Sequence, residues 1–583
     1  MPQGSPRRTV VLFCVAVLVA VTGLGAAVWR SFSTGAEAEH GAENSGEYTA
    51  PAAIPSVLAE PSLAGVRAAV WADPRNAPQR APGAYDAEVG RWRAWLARAG
   101  AQVVAPEQAE VVVMPYAACL GLAERQRVAA LLRAGRGIVT TGMLGARTEN
   151  CHPLPDTLLH ALLGRGGAGI APVPRASGAS LYGVVLGETA LSAGLPPGSR
   201  FEVRSADQVT FRDPGRAVFW SDFFRKPVRP GGAQHFDAAM VRARVGPGRV
   251  AAFGFGMSHV VPGWSEEVAR RLAANAVRWA AGKPVVQMAA WPQGKRAAAV
   301  VAQDVEADYR NAVGAVEILE RERIPATFFV MGRLASRERR TTARLRDYGE
   351  IASHTYDHRA LDQRVGDDLV NSLRRSKENA EELSGRPVLG LRPPAERFNM
   401  ETLRAWAGVG GTYVFAANNV RAAGPELVPL GADTLVLLAR VVGDDFHVLE
   451  RAGVRDRGTM SKDLLRELDE VIAQHGLYMF SYHSQLFARP DLRPVLQSLA
   501  EALHATPQVW VAPAGEVAAW WRARAAVRIH PSPDGRTARL ENHGRTPFKE
   551  GVLLVDLPNG QQRRLTLPEL APGTAATVSL PTS

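Results

Sequence analysis

From Ala297 to Arg524, short apolar runs alternate with longer amphipathic stretches, which restricts this part of the chain to strands linked by helices. The predicted strands are Ala297–Ala302, Ala326–Met331, Val388–Leu391, Tyr413–Ala416, Leu477–Tyr482 and Val509–Ala512. Between and after them, periodicity predicts the helices Asn311–Arg323, Arg337–Tyr348, Asp367–Leu383, Met400–Gly408, Lys462–Gln474, Leu492–His504 and Gly515–Arg524. The pattern fits an irregular (β/α) barrel of about seven strands, the length of one domain. Polar residues follow the strands: Asp304-Val305-Glu306, the run Ser353 to His358, Arg392-Pro393-Pro394, and His483 after Tyr482. In a barrel, side chains beyond the C-terminal strand ends converge on one mouth.

His354 and His358 are four residues apart, a spacing that puts two imidazoles on one face of a helical turn. Such a pair can offer a divalent metal two nitrogens at about 2.0–2.1 Å. Taken alone, it is equally compatible with two unrelated surface histidines. If the first strand continues through Glu306, its alternation aims Asp304 and Glu306 at the mouth and Val305 at the core.

The order of these motifs resembles the polysaccharide deacetylase family, which shares the NodB homology domain, over about Arg296 to Arg524. His354, Thr355 and His358 match the family's His-Ser/Thr-x-x-His motif in full, and Ala326–Val330 looks like its second strand. The first motif, usually adjacent aspartates, is Asp304-Val305-Glu306 here, and Ala395 stands where a glycine is usual. The fourth motif, with an aspartate and a tryptophan, is not recognisable near Thr412–Asn419, and Ser481 replaces the leucine two residues before His483.

The resemblance implies a hydrolase of carbon–nitrogen bonds, a metal-dependent N-deacetylase acting on cell-envelope or exported N-acetylated polysaccharide. It assigns the metal, a divalent ion of the zinc kind, to Glu306, His354 and His358. It gives Asp304 the role of base, Arg392 that of orienting the base, and His483 that of general acid, with Pro394 and Tyr356 against the substrate. From the residues alone, Arg392 is also a candidate barrel-mouth ion pair and His483 a candidate core histidine, and Asp304 could replace Glu306 on the metal. Two other functions fit: an inactive glycan-binding or scaffold protein of an exopolysaccharide system, and an amide hydrolase of small molecules.

The whole chain has 583 residues, enough for three or four domains. Residues 1–30 read as a transmembrane anchor or signal. Arg7-Arg8 precede an uncharged run, Val10 to Val28, about long enough to cross a bilayer. The expectation is a single-pass membrane protein with periplasmic or cell-surface domains. Residues 31–61, rich in Gly, Ala, Glu and Ser, read as a linker.

Strand–helix alternation over 62–284 predicts a flavodoxin-like doubly wound α/β domain, with Gly164 to Gly248 unassigned. This region resembles the class I glutamine amidotransferase-like fold found in trimerisation domains of some glycosidases. Enzymes of that family carry a Gly-x-Cys-x-Gly elbow. Ala118-Cys119-Leu120 lacks that frame and His259 has no glutamate two residues on, so the resemblance implies a binding or interaction domain. The barrel occupies 285–525. Short alternating strands over 526–583, with a turn at Pro558-Asn559-Gly560, predict a small Ig-like β-sandwich.

The net charge of +11 comes without a long basic run or a nucleic-acid-binding motif, so no nucleic-acid partner is expected. Of the three cysteines, Cys119 and Cys151 could pair outside the cytoplasm or remain free thiols. Nothing in the sequence sets the oligomeric state.

Overall fold

The computed structural model describes residues 58, 61–79, 83–163, 169–173, 181–204, 208–212, 218–221, 235–416, 421–431, 433–532 and 535–581. The overall class is mixed α/β, and the sheet that carries the predicted site is strongly curled. It has nine strands: β1 (Ala297–Val305), β2 (Ala326–Val330), β3 (Glu350–Ser353), β4 (Gly390–Leu391), β5 (Tyr413–Ala416), β6 (Glu426–Leu430), β7 (Asp433–Ala439), β8 (Leu477–His483) and β9 (Val509–Val511). Their order is β6-β7-β5-β4-β3-β2-β1-β8, with β9 also paired to β1. All run parallel except β6, which forms an antiparallel hairpin with β7.

Every residue of β1 is buried, as a central parallel strand requires. Ala298, Val300 and Ala302 face the inside of the curl, while Ala299, Val301 and Val305 face the helical layer. The small inward residues leave room for Phe329 and Phe415, whose rings lie 5.2 Å apart. Burying such a ring contributes roughly 1.5–3 kcal/mol. The register aligns Asp304 of β1 with His483 of β8 on one side and with Phe329 of β2 on the other. The acid and the late histidine therefore leave neighbouring strands at the same height.

The hairpin β6–β7 was not expected. It turns at Gly431, with φ 72°, and β7 buries Leu435 to Ala439. Its effect on the site is large, because the chain leaving β7 carries Arg440, Asp444 and Asp445.

In the N-terminal unit an 11-stranded sheet is parallel over one half only. The parallel order is Gln102–Val103, Arg67–Val70, Val111–Pro115, Gly137–Thr141, Gly248–Phe253. Beyond that point come His235–Val245, Val218–Ser221, Leu181–Val185 and Arg200–Val203, each antiparallel to its neighbour. The doubly wound expectation therefore covers only the parallel part. The switch is a tight hairpin in which Val245 pairs with Gly248 across Gly246, whose φ is 59°. The helices Ala84–Arg98 and Trp264–Ala280 cover one face through Trp92, Leu96, Val268 and Leu272, and Leu122–Arg133 covers the other through Val128 and Leu132. Cys119 and Cys151 form a disulfide with Cα atoms 5.0 Å apart.

The C-terminal unit has two three-stranded sheets around Met288, Leu540, Phe548, Leu553 and Leu567. The strand Val285–Met288, on the barrel side of the boundary read from sequence, pairs antiparallel with Val552–Asp556.

The expected single-pass membrane arrangement is corrected. No helix among the described residues is long and apolar enough to cross a membrane. The longest, Gly366–Ser384, has 19 residues and carries Asp367, Asp368, Arg374, Arg375, Lys377, Glu378, Glu381 and Glu382, charges that a bilayer interior does not accept. The run Val10 to Val28 that motivated the expectation lies outside the described residues.

Candidate metal centre

Glu306 is the residue just beyond the end of β1, and His354 follows β3 directly. His354 Nδ1 lies 2.8 Å from the Arg392 carbonyl oxygen. A carbonyl only accepts, so Nδ1 carries the proton and the Nε2 lone pair is available to the site. His358 does not share a helical turn with His354, contrary to the reading from spacing. The loop after β3 is irregular, with Thr355 at φ 61° and His358 at φ 60°. Left-handed backbone is costly for these residues, especially β-branched threonine. The side chain of Thr355 accepts a hydrogen bond from His358 N at 3.0 Å, which helps hold the loop.

This loop brings His358 Nε2 to 3.1 Å from His354 Nε2, while Glu306 Oε1 lies 3.4 Å from His354 Nε2 and 3.5 Å from His358 Nε2. The centre of that triangle is about 1.9 Å from each corner, close to the ~2.0–2.2 Å that zinc takes to imidazole and carboxylate donors. Two nitrogens and one oxygen fit a divalent ion and leave coordination positions open. Burial opposes charge on Glu306, but His358, His354 and His483 outweigh it and hold the carboxyl well below the usual carboxylate range.

Asp304 is buried, and its Oδ2 accepts from Arg392 Nε at 2.5 Å. Its Oδ1 is also buried and accepts no hydrogen bond among the described residues. Arg392 donates to Glu396 Oε1 (3.1 Å) and Ser481 Oγ (3.3 Å), and lies 4.7 Å over the Phe415 ring. Glu396 is shared with the wholly buried Arg440, 2.7 Å away, and Arg440 also reaches Asp444 at 3.0 Å. Each buried charge in this chain of contacts faces an opposite one, which a buried ion pair needs to persist.

His483 ends β8. Its Nε2 lies 3.6 Å from Asp304 Oδ2 and 3.7 Å from Glu306 Oε1. Its Nδ1 lies 2.7 Å from Asp445 Oδ1, and Asp445 Oδ2 accepts the backbone N–H groups of His483 (2.8 Å) and Phe487 (3.1 Å). Burial lowers the His483 affinity for a proton. Asp445, with Glu306 and Asp304, reverses this and keeps the imidazolium well above the ordinary histidine range.

Six expected site residues thus meet in one place: Asp304, Glu306, His354, His358, Arg392 and His483. Tyr356 instead packs under the Arg375 guanidinium, 3.8 Å from its ring centre, and Pro394 is buried at the start of a short 3-10 turn. In that turn Ala395, at the position that is usually glycine in the family it resembles, has φ 51°, a left-handed backbone that glycine favours. Glu396, Arg440, Asp444 and Asp445 were missed. For Arg440, Asp444 and Asp445 the available signal was the apolar run Leu435–Ala439 with a charged cluster directly after it, downstream of Thr412–Asn419.

Residues 293–414 match the family model for polysaccharide deacetylase, and a domain of that type lies there. The matched span includes Asp304, Glu306, His354, His358 and Arg392 but ends before Asp445 and His483. No curated protein matches the chain. Among solved structures, a Mycobacterium smegmatis protein described as a polysaccharide deacetylase is 25% identical, covering 40% of this chain and 93% of its own, with a TM-score of 0.37. A Pseudomonas aeruginosa PAO1 protein described in the same way is 17% identical, covering 40% and 94%, with a TM-score of 0.37. A CE4 family pseudoenzyme from Bacillus anthracis is 14% identical, covering 38% and 65%, with a TM-score of 0.28.

Proposed function

We propose that the barrel is a metal-dependent N-deacetylase that hydrolyses acetamide groups on N-acetylated polysaccharide of the cell envelope or an exported polymer. The observation that supports this reading is the convergence of Glu306, His354 and His358 beside two oriented groups, Asp304 with Arg392 and His483 with Asp445. A divalent ion, zinc on this reading, held by Glu306, His354 and His358 would polarise the amide carbonyl and acidify a water.

The rest of the work falls to side chains. Asp304 takes the proton of the attacking water at Oδ1, the oxygen that accepts no other hydrogen bond among the described residues, while Arg392 holds Oδ2 and so fixes the direction of Oδ1. His483 gives its Nε2 proton to the departing nitrogen as the carbon–nitrogen bond breaks, since a bare amide anion is a very poor leaving group. Asp445 holds the opposite ring nitrogen, so Nε2 faces the reacting atoms. The products are acetate and the free amine.

On the same reading, residues 62–284 form an amidotransferase-like domain that binds or docks rather than catalyses, 285–525 the catalytic unit and 526–583 a structural β unit. Cys119 is bonded to Cys151, which leaves no thiol there for a nucleophile.

The test uses the full chain and acetate release from N-acetylated glucosamine oligomers. Asp304→Asn should retain zinc and stop turnover, whereas Glu306→Gln should weaken zinc binding. The opposite pattern would exchange the two acids. Unchanged activity in both variants would sink the deacetylase assignment.

A further inference from the structure

The β1–β8 ladder ends where Asp304 pairs with His483, one residue short of the position needed to fix Glu306. Beyond that point one more backbone bond forms, and side chains then take over from the ladder. Ser484 N donates to the Asp304 carbonyl at 3.0 Å. The Ser484 hydroxyl accepts the Glu306 backbone N–H at 3.0 Å and donates to the Ala307 carbonyl at 2.6 Å. Asn311 Nδ2 in turn holds the Ser484 carbonyl at 3.2 Å. A third, longer contact runs from the Ser484 hydroxyl to Gln485 Oε1 at 3.2 Å, and because Ser484 is wholly buried these protein partners have no competition from water. The next residue acts on the carboxylate itself, since Gln485 Nε2 lies 3.4 Å from Glu306 Oε2. Glu306 Oε1 is the oxygen that faces His354 and His358.

We infer that Ser484 and Gln485 are positioning residues for the metal: Ser484 fixes the backbone of Glu306, and Gln485 engages Oε2 so that only Oε1 points at the two histidines. This rests on the metal site proposed above and goes beyond it, because neither residue is a ligand. A one-oxygen carboxylate leaves positions free for a water and a substrate carbonyl, as a catalytic site requires. It also explains how an Asp-x-Glu pair serves where the strand stops one residue before the second acid. The hydroxyl supplies the missing ladder bond, and the longer glutamate side chain covers the remaining distance.

The experiment is a calorimetric zinc titration of the metal-stripped full chain, with Ser484→Ala and Gln485→Ala alongside wild type and with His354→Ala as the non-binding control. Partners that orient a ligand are worth roughly 10–100-fold in metal affinity, so each variant should bind zinc at least about tenfold more weakly. Gln485 is partly exposed and holds no backbone, so the thermal midpoint of metal-free Gln485→Ala should match wild type. A purely structural role would do the reverse, lowering the midpoint and sparing the affinity. Zinc affinities within twofold of wild type in both variants would overturn this inference and leave the proposed function standing. A wild-type chain that binds no zinc would overturn the metal site and this inference together, and that outcome is read in the wild-type titration alone.

Discussion

Asp445 Oδ1 and His483 Nδ1 lie 2.7 Å apart, and both oxygens of Asp445 are used, the second by the N–H groups of His483 and Phe487. One carboxylate thus sets both the ring and the backbone of the histidine that ends β8. Burial raises the proton affinity of Asp445, and the charge and hydrogen bond of His483 oppose that shift. The two groups behave as a buried ion pair whose remaining ring nitrogen faces Asp304 and Glu306.

The first prediction tests that arrangement. Positioned acid catalysis is worth about 10²–10⁴-fold, so His483→Ala should lower kcat by that order with zinc still bound. Asp445→Asn removes the charge and leaves the shape, and should also lower kcat at unchanged zinc affinity. A His483→Ala enzyme with the wild-type rate would make His483 a core residue only.

Ala395 offers a test of stability. It occupies left-handed backbone at φ 51°, ψ 19°. An L-residue loses roughly 1–2 kcal/mol there, while glycine adds about 0.5–1 kcal/mol of unfolded-state entropy. Ala395→Gly should therefore shift the urea midpoint upward by an amount equal to at most about 1.5 kcal/mol. A clear loss of stability would show that packing of the Ala395 methyl group outweighs the backbone strain.

Glu467 should make stability depend on pH. Burial on the helix Arg457–Ala473, with Glu470 and Asp463 adding to it against Arg466 and Arg440, pushes its carboxyl up from 4.5 to about 8. The folded state holds the proton more tightly than the unfolded chain does. The stability this group contributes is therefore full below pH 4.5 and is lost as pH rises through about 8. Glu467→Gln should remove this dependence and stabilise the protein near pH 9 by a few kcal/mol. Parallel pH–stability curves for wild type and variant would refute the assignment.

The disulfide can be tested separately from catalysis. Cys119 and Cys151 are 32 residues apart, and closing a loop of that size is worth roughly 2–4 kcal/mol. The Cys119→Ala/Cys151→Ala variant should melt earlier by a corresponding amount and keep its deacetylase rate at temperatures where it stays folded. Loss of activity in a folded variant would reopen a chemical role for the N-terminal unit.

Local pattern made much of the barrel legible. The apolar runs of β1, β2, β5, β8 and β9 and the residues beyond them can be read from the chain because strand burial and period-two alternation involve only near neighbours. The pairings that turn these residues into a site are different in kind. Arg392 meets Asp304 across 88 residues, and His483 meets Asp445 across 38. No local period encodes such contacts, and they exist because the register of β1 with β8 and the exit of β7 bring the partners to one mouth.

By itself, the sequence determined which side chains were available and which strand ends carried them: Asp304 and Glu306 two residues apart, His354 and His358 four apart, then Arg392 and His483. Tertiary structure decided the conformations and partners. It drew His354 and His358 together through an irregular loop with two left-handed residues, where spacing alone suggested a helical turn. It built the hairpin that delivers Arg440 and Asp445, paired Cys119 with Cys151, and attached Val285–Met288 to the C-terminal sheet. The physical reason is that a backbone strained at Thr355 and His358, or a guanidinium buried at Arg440, is unfavourable taken alone. Such features persist only where the surrounding packing and opposite charges offset their cost, and that balance belongs to the folded molecule as a whole.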